Sequence, residues 1–149
     1  MLTTAASLLL LTSANATDYK DDGCYPNVTQ VNMCDHADRI VEAWSKDLPV
    51  VNGTTTTTEV HANGAVVAAS MKLSQTRADI AAMAKKSDQT VDELKANWSD
   101  IMSESVTESG CTRQLFIAFV GLGGTYEYNY YYNDGGLFAT IIQSKCPGD

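Results

Sequence analysis

Residues 54–73 read TTTTTEVHANGAVVAASMKL. The run Thr54–Thr58 favours extended backbone, because β-branching restricts the side chain in a helix and fits a pleated surface. Asn63-Gly64 supplies two residues that tolerate positive φ, the requirement of a two-residue type I′ turn. The stretch therefore predicts a β-hairpin in which Ala62 faces Ala65, His61 faces Val66, Val60 faces Val67 and Thr58 faces Ala69. Val60, Thr58 and Thr56 then share one face with Val67, Ala69 and Met71. Glu59 and His61 lie on the other.

A second hairpin is expected near the C-terminus. Residues 125–132 read TYEYNYYY, which places Tyr126, Tyr128, Tyr130 and Tyr132 on one face and Glu127, Asn129 and Tyr131 on the other. Asn133-Asp134-Gly135-Gly136 is a turn signal, and Leu137–Ser144 returns as the last strand. Helices fill the remainder. Asp35–Leu48 carries Ala37, Ile40, Val41, Trp44 and Leu48 at helical spacing, with Asp35 as N-cap and Pro49 as the stop. Val50–Gly53 reads as a connector, and Ser74 caps a short helix over 75–85. Thr90-Val91-Asp92-Glu93 is a capping box in front of an apolar stripe of Val91, Leu94, Trp98, Ile101 and Met102. Thr112–Val120 is apolar enough for a buried helix or a strand; Thr112 as a cap and the stop at Gly121, Gly123 and Gly124 favour a short helix. The expected fold is α+β: two antiparallel β-hairpins, joined in one four-stranded antiparallel sheet, packed against three to four helices.

The first residues look like an export signal. Leu8–Leu11 centres an apolar run too short for the roughly 20 residues of a membrane-spanning helix, and Ala14-Asn15-Ala16 offers small residues for cleavage after Ala16. The expected organisation is a signal peptide over 1–16, an irregular disulfide-pinned leader over 17–34 and one α+β domain over 35–149. Stable membrane insertion after cleavage is not expected. Export fits the cysteines, since an even set in a secreted domain reads as structural disulfides. Cys24–Cys34 would close a short polar loop, and Cys111–Cys146 would clamp both ends of the C-terminal unit. Each closure is worth roughly 3–4 kcal/mol by loop entropy. Asn27, Asn52 and Asn97 each head an Asn-X-Ser/Thr sequon.

The formal net charge is −8, and Lys85-Lys86 is the only adjacent basic pair. Such a surface argues against nucleic acid and anionic membranes as partners. Catalytic signatures are thin. His36 starts a helix and His61 lies beside a turn, both in exposed settings. No nucleophile elbow, zinc motif or EF-hand loop occurs. Glu59 and Glu127 are strand acids that would have to meet in a cleft to act as a glycosidase pair. Gly121-Leu122-Gly123-Gly124 precedes a strand, not a helix, so it lacks the dipole of a phosphate loop. No cofactor, metal or catalytic residue is assigned.

The tyrosine cluster remains. It reads either as a wall packed under the Trp98 helix or as a binding face, because tyrosine gives large rigid contact area at low entropic cost. The candidate binding residues are Glu127, Asn129, Tyr130, Tyr131 and Tyr132. The functional expectation is a small secreted or periplasmic interaction protein with a protein partner. An inhibitor or immunity-type protein acting through the tyrosine-rich hairpin would be one form. A small extracellular hydrolase with an unrecognised site and a structural or surface-associated component are the alternatives.

Overall fold

A computed structural model describes residues 23–26 and 31–148. The expected signal peptide over 1–16 and the sequon at Asn27 lie outside these residues. The described chain forms α1 (Met33–Ser45), β1 (Val50–Asn52), β2 (Thr55–Asn63), β3 (Val66–Leu73), α2 (Arg77–Lys86), α3 (Val91–Gly110), α4 (Gln114–Gly121), β4 (Thr125–Tyr131) and β5 (Leu137–Gln143). This is the mixed α+β fold expected from the sequence, with both expected disulfides: Cys24–Cys34, whose Cα atoms are 5.0 Å apart, and Cys111–Cys146, at 5.6 Å.

The sheet has five strands in the order β1-β2-β3-β4-β5, one more than expected. Val50–Asn52 is not a mere connector; it pairs antiparallel with Thr55–Thr57 as a short edge strand. The two hairpins join through β3 and β4, and that pairing is parallel, unlike the others. The reason is the helical crossover. Three helices lie between β3 and β4, and this crossover carries the chain from the end of β3 back to the opposite end of the sheet, where β3 began, which gives a parallel neighbour.

The first hairpin forms in a different register. Asn63 faces Val66, Ala62 faces Val67 and Val60 faces Ala69. The central turn residues are therefore Gly64 and Ala65. Only Gly64 has positive φ there, at +61°, the demand of a II′ turn rather than I′. The shift of two residues keeps Val60 and Val67 on one face. A bulge between Thr57 and Glu59 then breaks the alternation. Thr57 turns inward and is buried, whereas Thr58 is exposed, the reverse of the expected order.

Capping chemistry places the helices. Asn32, not Asp35, starts α1, its side chain accepting from the Cys34 and Asp35 N–H groups. The earlier start carries Met33 into the core, fully buried. Thr76, not Ser74, caps α2 in a capping box with Asp79. Thr90 and Glu93 form the expected box at α3, which runs on to Gly110. Arg113 occupies the N-cap of α4 in place of Thr112, without a side-chain cap bond.

All four helices pack on one sheet face. One cluster lies under α1 and α4: Met33, Ala37, Val67, Ala69, Phe116, Phe119 and Tyr126. Another lies under α2 and α3: Leu73, Ile80, Leu94, Tyr130, Phe138 and Ile141. The fully buried Met33, Leu73, Ile80 and Val67 each contribute about 1.5–3 kcal/mol by leaving water. Among the described residues the opposite sheet face carries no helix.

Candidate functional site

The two clusters meet at Met71 and Tyr128, which pack against both. Above this seam the helical layer is split, and a groove of about 680 Å³ opens between α1 and α3. Its floor is Thr57, Met71, Tyr128 and Tyr130. Trp44 of α1 stands on one side, and Trp98, Ile101, Met102 and Val106 of α3 on the other. Val50 and Asn52 of β1 close the edge, and Arg113 is the only charged lining residue among those described.

The walls are held by aromatic contacts. Trp44 meets Tyr128 edge to face at 6.4 Å between ring centroids, and Trp98 packs on Phe138 at 5.9 Å. Phe116 stacks on Tyr126 at 4.4 Å. The apolar stripe of α3 divides accordingly. Leu94 is buried and Trp98, Met102 and Val106 are half-buried against the sheet, while Ile101 stays 64% exposed at the groove mouth. Val91, in the first turn, is also exposed. The expected stripe is thus only partly a core face. An exposed isoleucine beside a tryptophan-walled groove is unfavourable surface that a partner can cover.

Burial shapes the tyrosine chemistry. Tyr126 is pushed up to about 12, chiefly by burial and slightly offset by Arg113. Burial raises Tyr128 further, with the neighbouring Tyr126 and Tyr130 adding to it and Arg113 opposing. Tyr130 is raised by burial alone. These phenols stay protonated at neutral pH and act as apolar rings with a polar tip, not as proton carriers.

The candidate binding residues of the sequence separate. Tyr130 and Tyr132 are buried, at 6% and 7% exposure, and pack beneath α3; Tyr130 also borders the groove floor, and neither ring forms an exposed platform. Arg77 and Lys95 lie over the Tyr132 ring. Glu127, Asn129 and Tyr131 instead occupy the helix-free face. There Asn129 Nδ2 donates to Glu127 Oε1 at 2.6 Å, and Thr140 Oγ1 donates to Asn129 Oδ1 at 2.7 Å. His36 and His61 are exposed, and neither lines the groove. Glu59 and Glu127 share the open face but are separated by β3, on a flat surface rather than in a cleft. No cluster of three or more metal-ligating side chains occurs among the described residues.

The groove itself was not read from the sequence. Its signal is present in part: Trp44 and Trp98 each sit on a helical stripe, and Ile101 lies off the line of Leu94, Trp98, Met102 and Val106.

No protein-family model matches the sequence, and no curated protein matches it. Solved structures do share the fold. The type II secretion system pilotin AspS from Vibrio cholerae superposes with a TM-score of 0.54 at 16% identity, over 76% of this chain and 90% of that one. A candidate secreted protein from Pseudomonas aeruginosa gives 0.57 at 11% identity, over 74% and 88%. The type II secretion pilotin EpsS from Vibrio vulnificus gives 0.53 at 13% identity, over 74% and 86%. At these identities the likeness is one of fold.

Proposed function

We propose that this chain is an exported, non-catalytic interaction protein, pilotin-like in role, that holds an apolar-faced helical segment of a protein partner in the groove between α1 and α3. The observation that carries this reading is the split helical layer, with Trp44 and Trp98 on facing walls and Ile101 exposed at the mouth. A groove of this kind accepts an amphipathic helix through its apolar side chains. Two disulfides support an oxidising compartment, and the likeness to two pilotins and a candidate secreted protein supports the same setting. No helix among the described residues is long and apolar enough to cross a membrane.

These comparisons favour a structural or surface-associated role over the inhibitor reading, in which the tyrosine-rich hairpin would block an enzyme. A hydrolase is the weaker reading as well, since among the described residues the groove lining contains no histidine, aspartate or glutamate.

The test is site-specific photo-crosslinking in cells that export the protein. A crosslinker at Ile101 is expected to capture a single protein species, and Trp44→Ala to abolish the capture. Met83, which is exposed on α2, a helix that contributes nothing to the groove lining, is the control position. The same species from both positions, or none from Ile101, overturns the reading.

A further inference from the structure

We propose that the outer edge of β5 is a strand-addition site for an extended, basic segment of a protein partner. Among the described residues β5 ends the sheet and pairs only with β4. Its sequence, Leu137-Phe-Ala-Thr-Ile-Ile-Gln143, has no proline, glycine or charge over seven residues. Soluble proteins ordinarily blunt such an edge with a lysine, a proline or a very short strand. The other edge, β1, is blunted in that way, being three residues long. β5 has none of these three; its one irregularity is the bulge at Phe138, between the Tyr130–Ala139 and Tyr131–Leu137 pairs, which leaves Ala139–Gln143 as a regular edge.

The side chains beside this edge give it a recognition surface. On the helix-free face Ile142, Thr140 and Leu137 stand next to Glu127, Asn129 and Tyr131. Ile142 is 63% exposed, Leu137 52% and Tyr131 36%. An added strand would satisfy the outward backbone groups of β5 and place alternate side chains over this apolar column. The hydrogen-bonded row Thr140–Asn129–Glu127 fixes the polar side chains between them.

Charge selects the occupant. α3 packs over β5, with Thr107 Oγ1 donating to Gln143 Oε1 at 2.9 Å. It carries Asp92, Glu93, Asp100, Glu104 and Glu108 against a single base, Lys95. Lys95 is held over the Phe138 and Tyr132 rings, and Lys145 follows the strand. A second copy pairing through β5 would set two acidic α3 helices side by side. A segment with lysine or arginine at alternate positions meets the acidic α3 and the overall charge of −8 with opposite sign.

The experiment uses a capped synthetic strand, Lys-Val-Thr-Val-Lys-Val-Lys, and its counterpart with glutamate in place of lysine. The lysine peptide is expected to bind at low salt and to slow amide hydrogen exchange along 137–143. Ile142→Lys and Leu137→Lys, at exposed positions, are expected to weaken binding about tenfold each without changing far-ultraviolet circular dichroism. Ile101→Ser, an uncharged change in the groove, is expected to leave peptide binding unchanged. Equal binding of the glutamate peptide, unaltered exchange along β5, or loss of binding with Ile101→Ser overturns the proposal. So does protection of 137–143 that rises with protein concentration alone, which would assign the edge to a second copy.

Discussion

Trp44 and Tyr128 meet edge to face, their ring centroids 6.4 Å apart, and this contact ties α1 to the centre of the sheet. Tyr128 in turn stacks towards Tyr126 at 6.3 Å, and Tyr126 stacks on Phe116 of α4 at 4.4 Å. The aromatic series runs along β4 from beneath α1 to beneath α4, and Tyr128 forms part of the groove floor. Removing either end should therefore be felt at the other. Tyr128→Ala is expected to lower unfolding free energy by about 3 kcal/mol, the lower end of large aromatic truncations, because its ring is half-buried. A double-mutant cycle with Trp44→Ala in urea should give a coupling of about 1 kcal/mol. Strict additivity would show that the contact contributes nothing of its own.

The same tyrosines set an alkaline limit. Burial raises Tyr126, Tyr128 and Tyr130 above the ordinary value of 10.0. In the unfolded chain they ionise near that value, so the unfolded state sheds protons first. Their contribution is fully present below pH 10 and is lost as pH rises towards 12 and beyond. Urea midpoints should be flat from pH 7 to 9 and fall steeply above 10. Tyr126→Phe should flatten part of that fall; an unchanged slope would exclude Tyr126 as a source.

Two glycines are required by neighbouring rings. A Cβ on Gly124 would lie 2.5 Å from the Phe119 ring, and one on Gly110 would lie 2.6 Å from the Phe116 ring. Both rings are buried, so neither moves away freely. Gly124→Ala and Gly110→Ala are each expected to cost about 1–3 kcal/mol by overpacking. Gly121, with open space around its Cβ position, is the comparison: Gly121→Ala sits at the end of α4 and should be neutral or slightly stabilising. Thermal melts of the three variants give the order directly.

What the sequence makes legible follows from the range of each interaction. The Thr90–Glu93 capping box is written in four consecutive residues and appears as read. The alternation of Tyr126–Tyr132 likewise fixes which side chains share a face. The register of the first hairpin depends on whether Asn63 or Ala65 occupies the turn with Gly64, and the two choices differ by little locally. The bulge at Thr58 cannot be seen in a run of identical threonines, because nothing in the residue type marks where the pleat breaks. The β3–β4 pairing and the groove are longer-range still. They depend on how a three-helix crossover lies on the sheet, and Trp44 and Trp98 give no hint in sequence that they stand on facing walls.

The disulfides permit a graded test of how the ends of the fold are held. Cys24–Cys34 closes a separation of 10 residues, at the first turn of α1. Cys111–Cys146 closes 35 and links the end of α3 to the segment after β5. Loop entropy makes the first worth about 3 kcal/mol and the second about 4. Position should widen the gap. Cys146 is buried in the cluster with Phe116 and Tyr126, and the bridge restrains the C-terminal end of β5 beside Gln143. Replacing Cys111 and Cys146 together by serine also places a hydroxyl in that apolar setting. The Cys111→Ser/Cys146→Ser variant should therefore lose at least about 4 kcal/mol, and the Cys24→Ser/Cys34→Ser variant clearly less. Hydrogen exchange should show faster opening of β5 and the end of α3 in the first variant, and of α1 in the second. Equal losses with the same opening pattern would mean that both bridges act only on the unfolded chain and that neither end of the domain depends on its clamp.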